Sequence, residues 1–289
     1  MHFVLLAILF FFFQNIANKE YGARFSPDVK TLVPFHVISH VSMIASLAIL
    51  GVGIKMPLGG LAYAFLYACA FLMAIMMLMK TLTLGAVGKT TLIVNLSMLL
   101  PMLLGVLFWE EKLNTYNIIG IPCVLLTLFL SVPRSAGGEK ANVKWTVCVF
   151  ITFILDGCLS VIQKLFLRAY GNDYSKSFVL VSALFGLGIC VCLSIIFRLK
   201  DHALSLPKGK SLVPFAVIAF VVGASTAIAT MFNMQSLTLL DGVIVFPVRQ
   251  GGLILMMTLY GIIRYKDKFD LKAAVMLLSG LMGIVLLNL

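Results

Sequence analysis

The sequence predicts an all-α polytopic membrane protein with ten transmembrane helices, arranged as two inverted five-helix repeats. Three observations carry that expectation. Only 11% of the 289 residues are charged while 61% are hydrophobic. Apolar runs recur at the length that crosses a lipid hydrocarbon core. Short segments of the first half also reappear, in the same order, in the second.

A soluble domain carries roughly 25% charged residues, because its surface faces water. At a mean hydropathy of +1.08 this chain has too few charges to coat a soluble body of its size, so lipid covers much of its surface. The net charge is +11. Its basic residues stand between apolar runs, where they meet anionic headgroups and set orientation; this excludes nucleic acid as a partner and makes the lipid bilayer one. Cys69, Cys123, Cys148, Cys158, Cys190 and Cys192 all lie inside apolar runs. They read as small buried residues and not as a disulfide framework or metal clip. Met1-His2 leads directly into Phe3–Phe13 without a basic region or a small-residue cleavage site, which reads as a retained first helix.

A helix needs about 20 apolar residues to span, with a working range of about 17–25. On that criterion spans fall near 2–18, 33–54, 58–80, 86–108, 115–132, 145–168, 174–198, 212–234, 241–263 and 270–288. In lipid the backbone must satisfy its own hydrogen bonds, so continuous runs of this length are helices. A β-barrel would show alternating segments of about ten residues instead. Connections are short, with tight turns at Leu113-Asn114 and Asp241-Gly242. The longest mid-chain polar stretch, Pro133 to Lys140, reads as a linker. The chain therefore divides into a first repeat (1–132), a linker (133–144) and a second repeat (145–289).

Met76–Leu84 aligns with Met231–Leu239 at an offset of 155, with five of nine positions identical. Asn18-Lys19 matches Gln163-Lys164 at 145, and Glu111–Asn114 resembles Asp267–Asp270 at 156. Three matches in one order indicate a duplication. Leu32–Phe35 is identical to Leu212–Phe215 at an offset of 180, which pairs the wrong spans; a proline where a helix begins explains that match. Five spans per repeat force the halves to enter the membrane from opposite sides, an architecture that holds substrate near the midplane between them.

Pro101 followed by Trp109-Glu110-Glu111-Lys112-Leu113-Asn114, with Gly120 beyond, resembles the drug/metabolite transporter superfamily, specifically its ten-helix EamA-like members. The segment looks like that family's helix-four proline and its Gly-Glu-Arg/Lys-Leu turn before helix five. Glu110 stands where the family usually has Gly. The second copy departs further, with Tyr265-Lys266-Asp267-Lys268-Phe269 in place of the Gly-Glu pair and Pro247 farther from its turn. The resemblance covers essentially the whole chain. It implies transport of a small metabolite: an amino acid, a nucleotide sugar or an amphipathic drug.

Polar groups deep in membrane helices are costly, at about 2.5–3.5 kcal/mol for a charge on insertion scales. Asp156 sits at the centre of span six and Arg249 within span nine, in Pro247-Val248-Arg249-Gln250-Gly251-Gly252. Both are expected to face the interior, as a structural ion pair or as groups for substrate charge recognition or proton coupling. They are expected to approach across the interface between the halves, within a direct or water-mediated contact. Pro247 and the paired glycines suggest a locally irregular span nine around Arg249. Asn95, Gln14, Asn15, Asn18, Gln163, Asn233, Gln235 and Gln250 read either as interhelical hydrogen-bonding groups or, as a set, as the lining of a polar cavity for substrate. Lys19 and Lys164 end paired helices, where snorkelling to the interface is the ordinary role. His36 and His40, spaced i, i+4, lack an evident third metal ligand. The Met73–Met79 run reads as pliable packing.

No Walker loop, nucleophile elbow or HExxH motif is present, which excludes ATP-driven transport within this chain and argues against an enzyme; no cofactor is expected. The leading expectation is a secondary carrier for a small-molecule substrate, multi-pass in a plasma or inner membrane. The alternatives are a lipid-linked-sugar flippase or channel-like protein and, behind these, a polytopic membrane enzyme. Most of the 22 Lys and Arg lie after the odd-numbered spans, which places both termini outside the cytoplasm; the family resemblance implies the reverse.

Overall fold

The computed structural model describes residues 1–25, 28–84, 90, 93–131, 143–199, 204, 206–207, 209–265 and 271–287. Among these residues every regular element is helical. The elements are α1 (His2–Arg24), α2 (Val29–Ile49), α3 (Leu58–Leu84), α4 (Ile93–Phe108), α5 (Thr115–Ser131), α6 (Val143–Tyr170), α7 (Ser175–Leu199), α8 (Leu212–Leu239), α9 (Gly242–Tyr265) and α10 (Leu271–Leu286). Seven of them are long and apolar enough to cross a membrane; α4, α5 and α10 are shorter over the described residues. The protein is an α-helical, multi-pass integral membrane protein. Its outer face agrees: Leu103, Ile119, Phe150, Ile195, Val217 and Leu278 are exposed, as lipid contact requires.

Helix ends follow local chemistry. The Asn114 side chain accepts the Asn117 N–H at 2.7 Å and caps the start of α5. Pro34, expected at a helix start, lies one turn inside α2, which begins at Val29. Pro247 lies inside α9, which runs unbroken from Gly242 to Tyr265. The expected irregularity around Arg249 is therefore absent. It occurs instead in α4, where Leu96–Met98 tighten into a 3₁₀ turn. The linker 133–144 falls outside the described residues up to 142, as does the Asp267–Asp270 match.

Packing pairs helices distant in sequence. α1 lies along α8 and α3 along α6; α2 packs on α7 and α8, and α7 also on α3. α4 contacts α6, α9 contacts α1, and α5 lies along α10. Gly120 and Gly283 make the last contact possible, since a Cβ on either would run into the other's carbonyl region.

Two aromatic clusters pin opposite ends of the bundle. Tyr21, Phe25, Phe35 and Phe215 meet where α1 ends. Tyr63, Phe166, Tyr170 and Phe178 meet where α6 ends.

Candidate functional site

Six helices, α1, α3, α4, α6, α8 and α9, surround a central cavity of about 290 Å³. Asp156, Arg249, Gln250, Asn95, Gln14, Asn15, Asn18 and Gln163 all line it. Asn233 stands behind the wall and reaches it through Arg249. Gln235 is outside the lining; its backbone carbonyl accepts the Thr238 hydroxyl.

Asp156 and Arg249 face the same space without a direct ion pair. Ser97 Oγ, in the 3₁₀ turn of α4, donates to Asp156 Oδ2 at 2.5 Å. Arg249 Nη1 donates to Asn233 Oδ1 at 3.3 Å, Asn233 Nδ2 to Gln163 Oε1 at 2.9 Å, and Gln163 Nε2 to Tyr67 Oη at 3.0 Å. This chain of amides crosses α9, α8, α6 and α3 and holds the guanidinium in place. Phe11 and Phe246 lie 5.5 and 5.7 Å from its central carbon, within cation–π range. A guanidinium has five N–H donors, and one is used by a partner among the described residues. The expected approach across the halves needs correction, because α6 and α9 both belong to residues 145–289. What the first half supplies is Ser97 against Asp156 and Phe11 against Arg249.

The lining residues pair at fixed offsets. Phe11 and Asp156, Asn15 and Ser160, and Asn18 and Gln163 stand 145 positions apart. Phe71 and Thr226, Ile75 and Thr230, Val94 and Arg249, and Asn95 and Gln250 stand 155 apart. In each pair both residues face the cavity. The charges break the match, since Asp156 corresponds to Phe11 and Arg249 to Val94. Any solute at the centre therefore meets a site polarised along one direction.

Toward the end where α1 and α3 finish, the cavity continues into an outer lobe of about 510 Å³ that shares Gln14, Asn15, Asn18 and Phe71 with the inner one. Lys19 and Gly22 line its outer part, and Leu32, Phe35, His36, Ser39, His40 and Met43 form its α2 wall. Across the described residues no group of three metal-ligating side chains occurs.

Toward the opposite end, a buried ion pair ties three elements together in a way the sequence does not announce. Lys164, read as a snorkelling residue, is buried and meets Glu111 Oε1 at 2.5 Å. The same carboxylate accepts the Gly242 N–H at 3.2 Å and the Val243 N–H at 2.9 Å, the first turn of α9. A carboxylate at a helix N-terminus satisfies orphan donors and opposes the helix dipole. Glu110 adopts φ 57°, a left-handed conformation that glycine tolerates far better.

No family model matches this chain, and no curated protein does. Twenty-eight solved chains match this one in structure. One, described only as the crystal structure of a protein, is 16% identical, with a TM-score of 0.72 over 98% of this chain and 94% of its own. That likeness shows the fold alone.

Proposed function

We propose that the protein is a secondary carrier that moves a small organic zwitterion across a membrane by alternating access, with the ten-helix architecture of EamA-like drug/metabolite transporters. The observation that carries the reading is one cavity holding a carboxylate and a guanidinium that each have a protein partner but not each other. Two opposite charges kept apart in a mid-membrane cavity are costly unless something bridges them. A solute carrying a carboxylate and an ammonium does so, with Arg249 gripping the first and Asp156 with Ser97 the second.

Two inverted five-helix repeats supply the movement. Exchanging helices one to five with six to ten turns the α1–α8 contact into α6–α3, α2–α8 into α7–α3, and α9–α1 into α4–α6, all of which are made. The constant offsets of paired lining residues support the same relation. In such a pair of repeats, one end opens as the other closes around a fixed site. The cavity is open where α1 ends and closed by Glu111, Lys164 and the start of α9 at the other end. With the odd-numbered connections cytoplasmic, as the charge bias favours, the open end faces the cytoplasm.

A second reading, a flippase for an amphipathic lipid-linked solute, is favoured by one feature. A methionine-lined crevice of about 560 Å³ beside α3 shares Leu32 and Met79 with the outer lobe. A lateral path would make uptake depend on the membrane-partitioned solute.

The test is binding of radiolabelled amino acids, amines and carboxylates to purified protein, wild type and Arg249→Ala. The carrier reading expects zwitterions to bind and both single-charge classes to bind at least tenfold more weakly. Equal binding of wild type and Arg249→Ala would overturn it.

A further inference from the structure

The outer lobe is lined by a residue with a buried, unpartnered polar atom that the proposed chemistry does not use. His36 is 6% exposed, lines the lobe, and its Nε2 has no partner among the described residues. Its placement is fixed. Ser39 Oγ donates to the Ala219 carbonyl at 3.0 Å and Ser42 Oγ to the Phe220 carbonyl at 2.7 Å, which locks α2 against α8. Gly223 allows that approach, since a Cβ there would strike the Ser39 carbonyl. With Ser39 and Ser42 turned to α8, His36, His40 and Met43 present the i, i+4, i+7 face to the lobe. His40 is occupied: its Nδ1 lies 2.7 Å from the His36 carbonyl, which only accepts, so Nδ1 donates. Its ring packs edge-on to Phe71. The other ring nitrogen of His40, Nε2, packs against Gly186, where a Cβ would collide with it. Of the two rings, His36 is the one with a fully buried nitrogen that has no partner among the described residues.

Buried polar atoms are hydrogen-bonded in native proteins, so an orphan on a cavity wall points to a missing partner. Ser182 Oγ, another orphan, faces a void of about 10 Å³ behind His40, room for one water. His36 instead faces about 510 Å³ walled mainly by apolar groups such as Leu32, Phe35, Phe71 and Ile75. The lobe's lining on α1 and α3 sits about four residues beyond that of the charged centre, or ~6 Å at 1.5 Å per residue. A ligand held by its charged end at Asp156 and Arg249 extends an apolar body of that length toward His36.

Resting on the carrier reading, we propose that His36 is a specificity-determining residue that hydrogen-bonds a ring hydroxyl at the far end of an aromatic zwitterion. The site selects hydroxylated rings over bare ones, because a site built to bond a hydroxyl leaves its own polar group unpaired when the hydroxyl is missing.

The test compares tyrosine with phenylalanine, which differ by that hydroxyl, in equilibrium binding to the full chain in lipid nanodiscs. Wild type should bind tyrosine at least tenfold more tightly. His36→Phe should abolish the preference while keeping phenylalanine affinity, which also reports a folded site, and His36→Gln should retain part of it. Equal affinities in wild type, as a resident water on His36 would give, overturn the proposal. So does a preference that survives in His36→Phe. If neither amino acid binds while another solute binds in an Arg249-dependent way, the His36 assignment fails and the carrier reading stands. If no solute binds, both fail.

Discussion

Glu111→Ala should loosen the end of the bundle where α9 begins, and the size of the effect follows from what the carboxylate holds. Its side chain is 4% exposed and that of Lys164 is 9% exposed, so the pair is shielded from water. Breaking a buried ion pair by removing one partner costs about 3–5 kcal/mol, mostly from the charge left behind. Glu111→Ala also strips acceptors from the Gly242 and Val243 N–H groups. Hydrogen bonds to a charged group contribute ~1.5–3 kcal/mol each, and these terms overlap, so a total of about 4–5 kcal/mol is expected. Lys164→Met leaves both N–H bonds in place and should cost about 3 kcal/mol. Amide hydrogen exchange at Gly242 and Val243 reads this directly. At ~1.4 kcal/mol per tenfold, protection should fall by about 10³ in Glu111→Ala and about 10² in Lys164→Met. The double variant Glu111→Gln with Lys164→Met should recover part of the loss, since no charge is then left buried. Protection unchanged within tenfold would refute the reasoning, as would Lys164→Met proving the more damaging change.

Further outcomes follow from individual side chains. Glu110→Gly should raise thermal stability in detergent by about 1 kcal/mol, because it removes a non-glycine residue from a left-handed conformation at φ 57°; a loss of stability would contradict this. Gly223→Val should destabilise by about 1–3 kcal/mol through collision with the Ser39 carbonyl, read as a lower unfolding temperature. Arg249→Ala should lower substrate affinity more than Asp156→Asn does, and Arg249→Lys should rescue poorly, since an ammonium lacks the planar fork that grips a carboxylate. Asp156→Asn should weaken binding of the solute's ammonium end and abolish pH-gradient-driven uptake, leaving only slow downhill exchange; unchanged pH dependence would remove Asp156 from coupling.

The polar residues legible in the sequence were those whose environment is set by their own helix. Asp156, Asn95 and Gln250 sit mid-run, where an apolar neighbourhood on both sides marks them as inward-facing, and all three line the cavity. Lys164 lies near a helix end, where long cations ordinarily reach water. Only its spatial neighbour Glu111, on a loop 53 positions earlier, turns it into a buried partner. A signal existed: Glu111 and Lys164 both fall in short segments that resemble others in the chain, at offsets of 156 and 145. Span nine was misjudged for a related reason. Pro247 and Gly251-Gly252 disturb a helix only where no neighbour supports it. Here a Cβ at Gly251 would meet Val124 and one at Gly252 would meet Ile8, so the glycines serve close packing and the helix continues. The 3₁₀ turn of α4 carries no proline or glycine at Leu96–Met98, so it had no local signature. Gln235 has the right residue type but the wrong face, two positions from Asn233 on α8, which a mid-span polarity argument does not resolve.

Counterflow in proteoliposomes tests the central claim most directly. Vesicles holding wild-type protein and loaded with millimolar unlabelled zwitterionic amino acids should accumulate the labelled solute transiently above its external level. That uptake should saturate and vanish in Arg249→Ala. Flux that rises linearly with concentration, without acceleration by solute on the far side, would mark a channel-like pore and contradict the account.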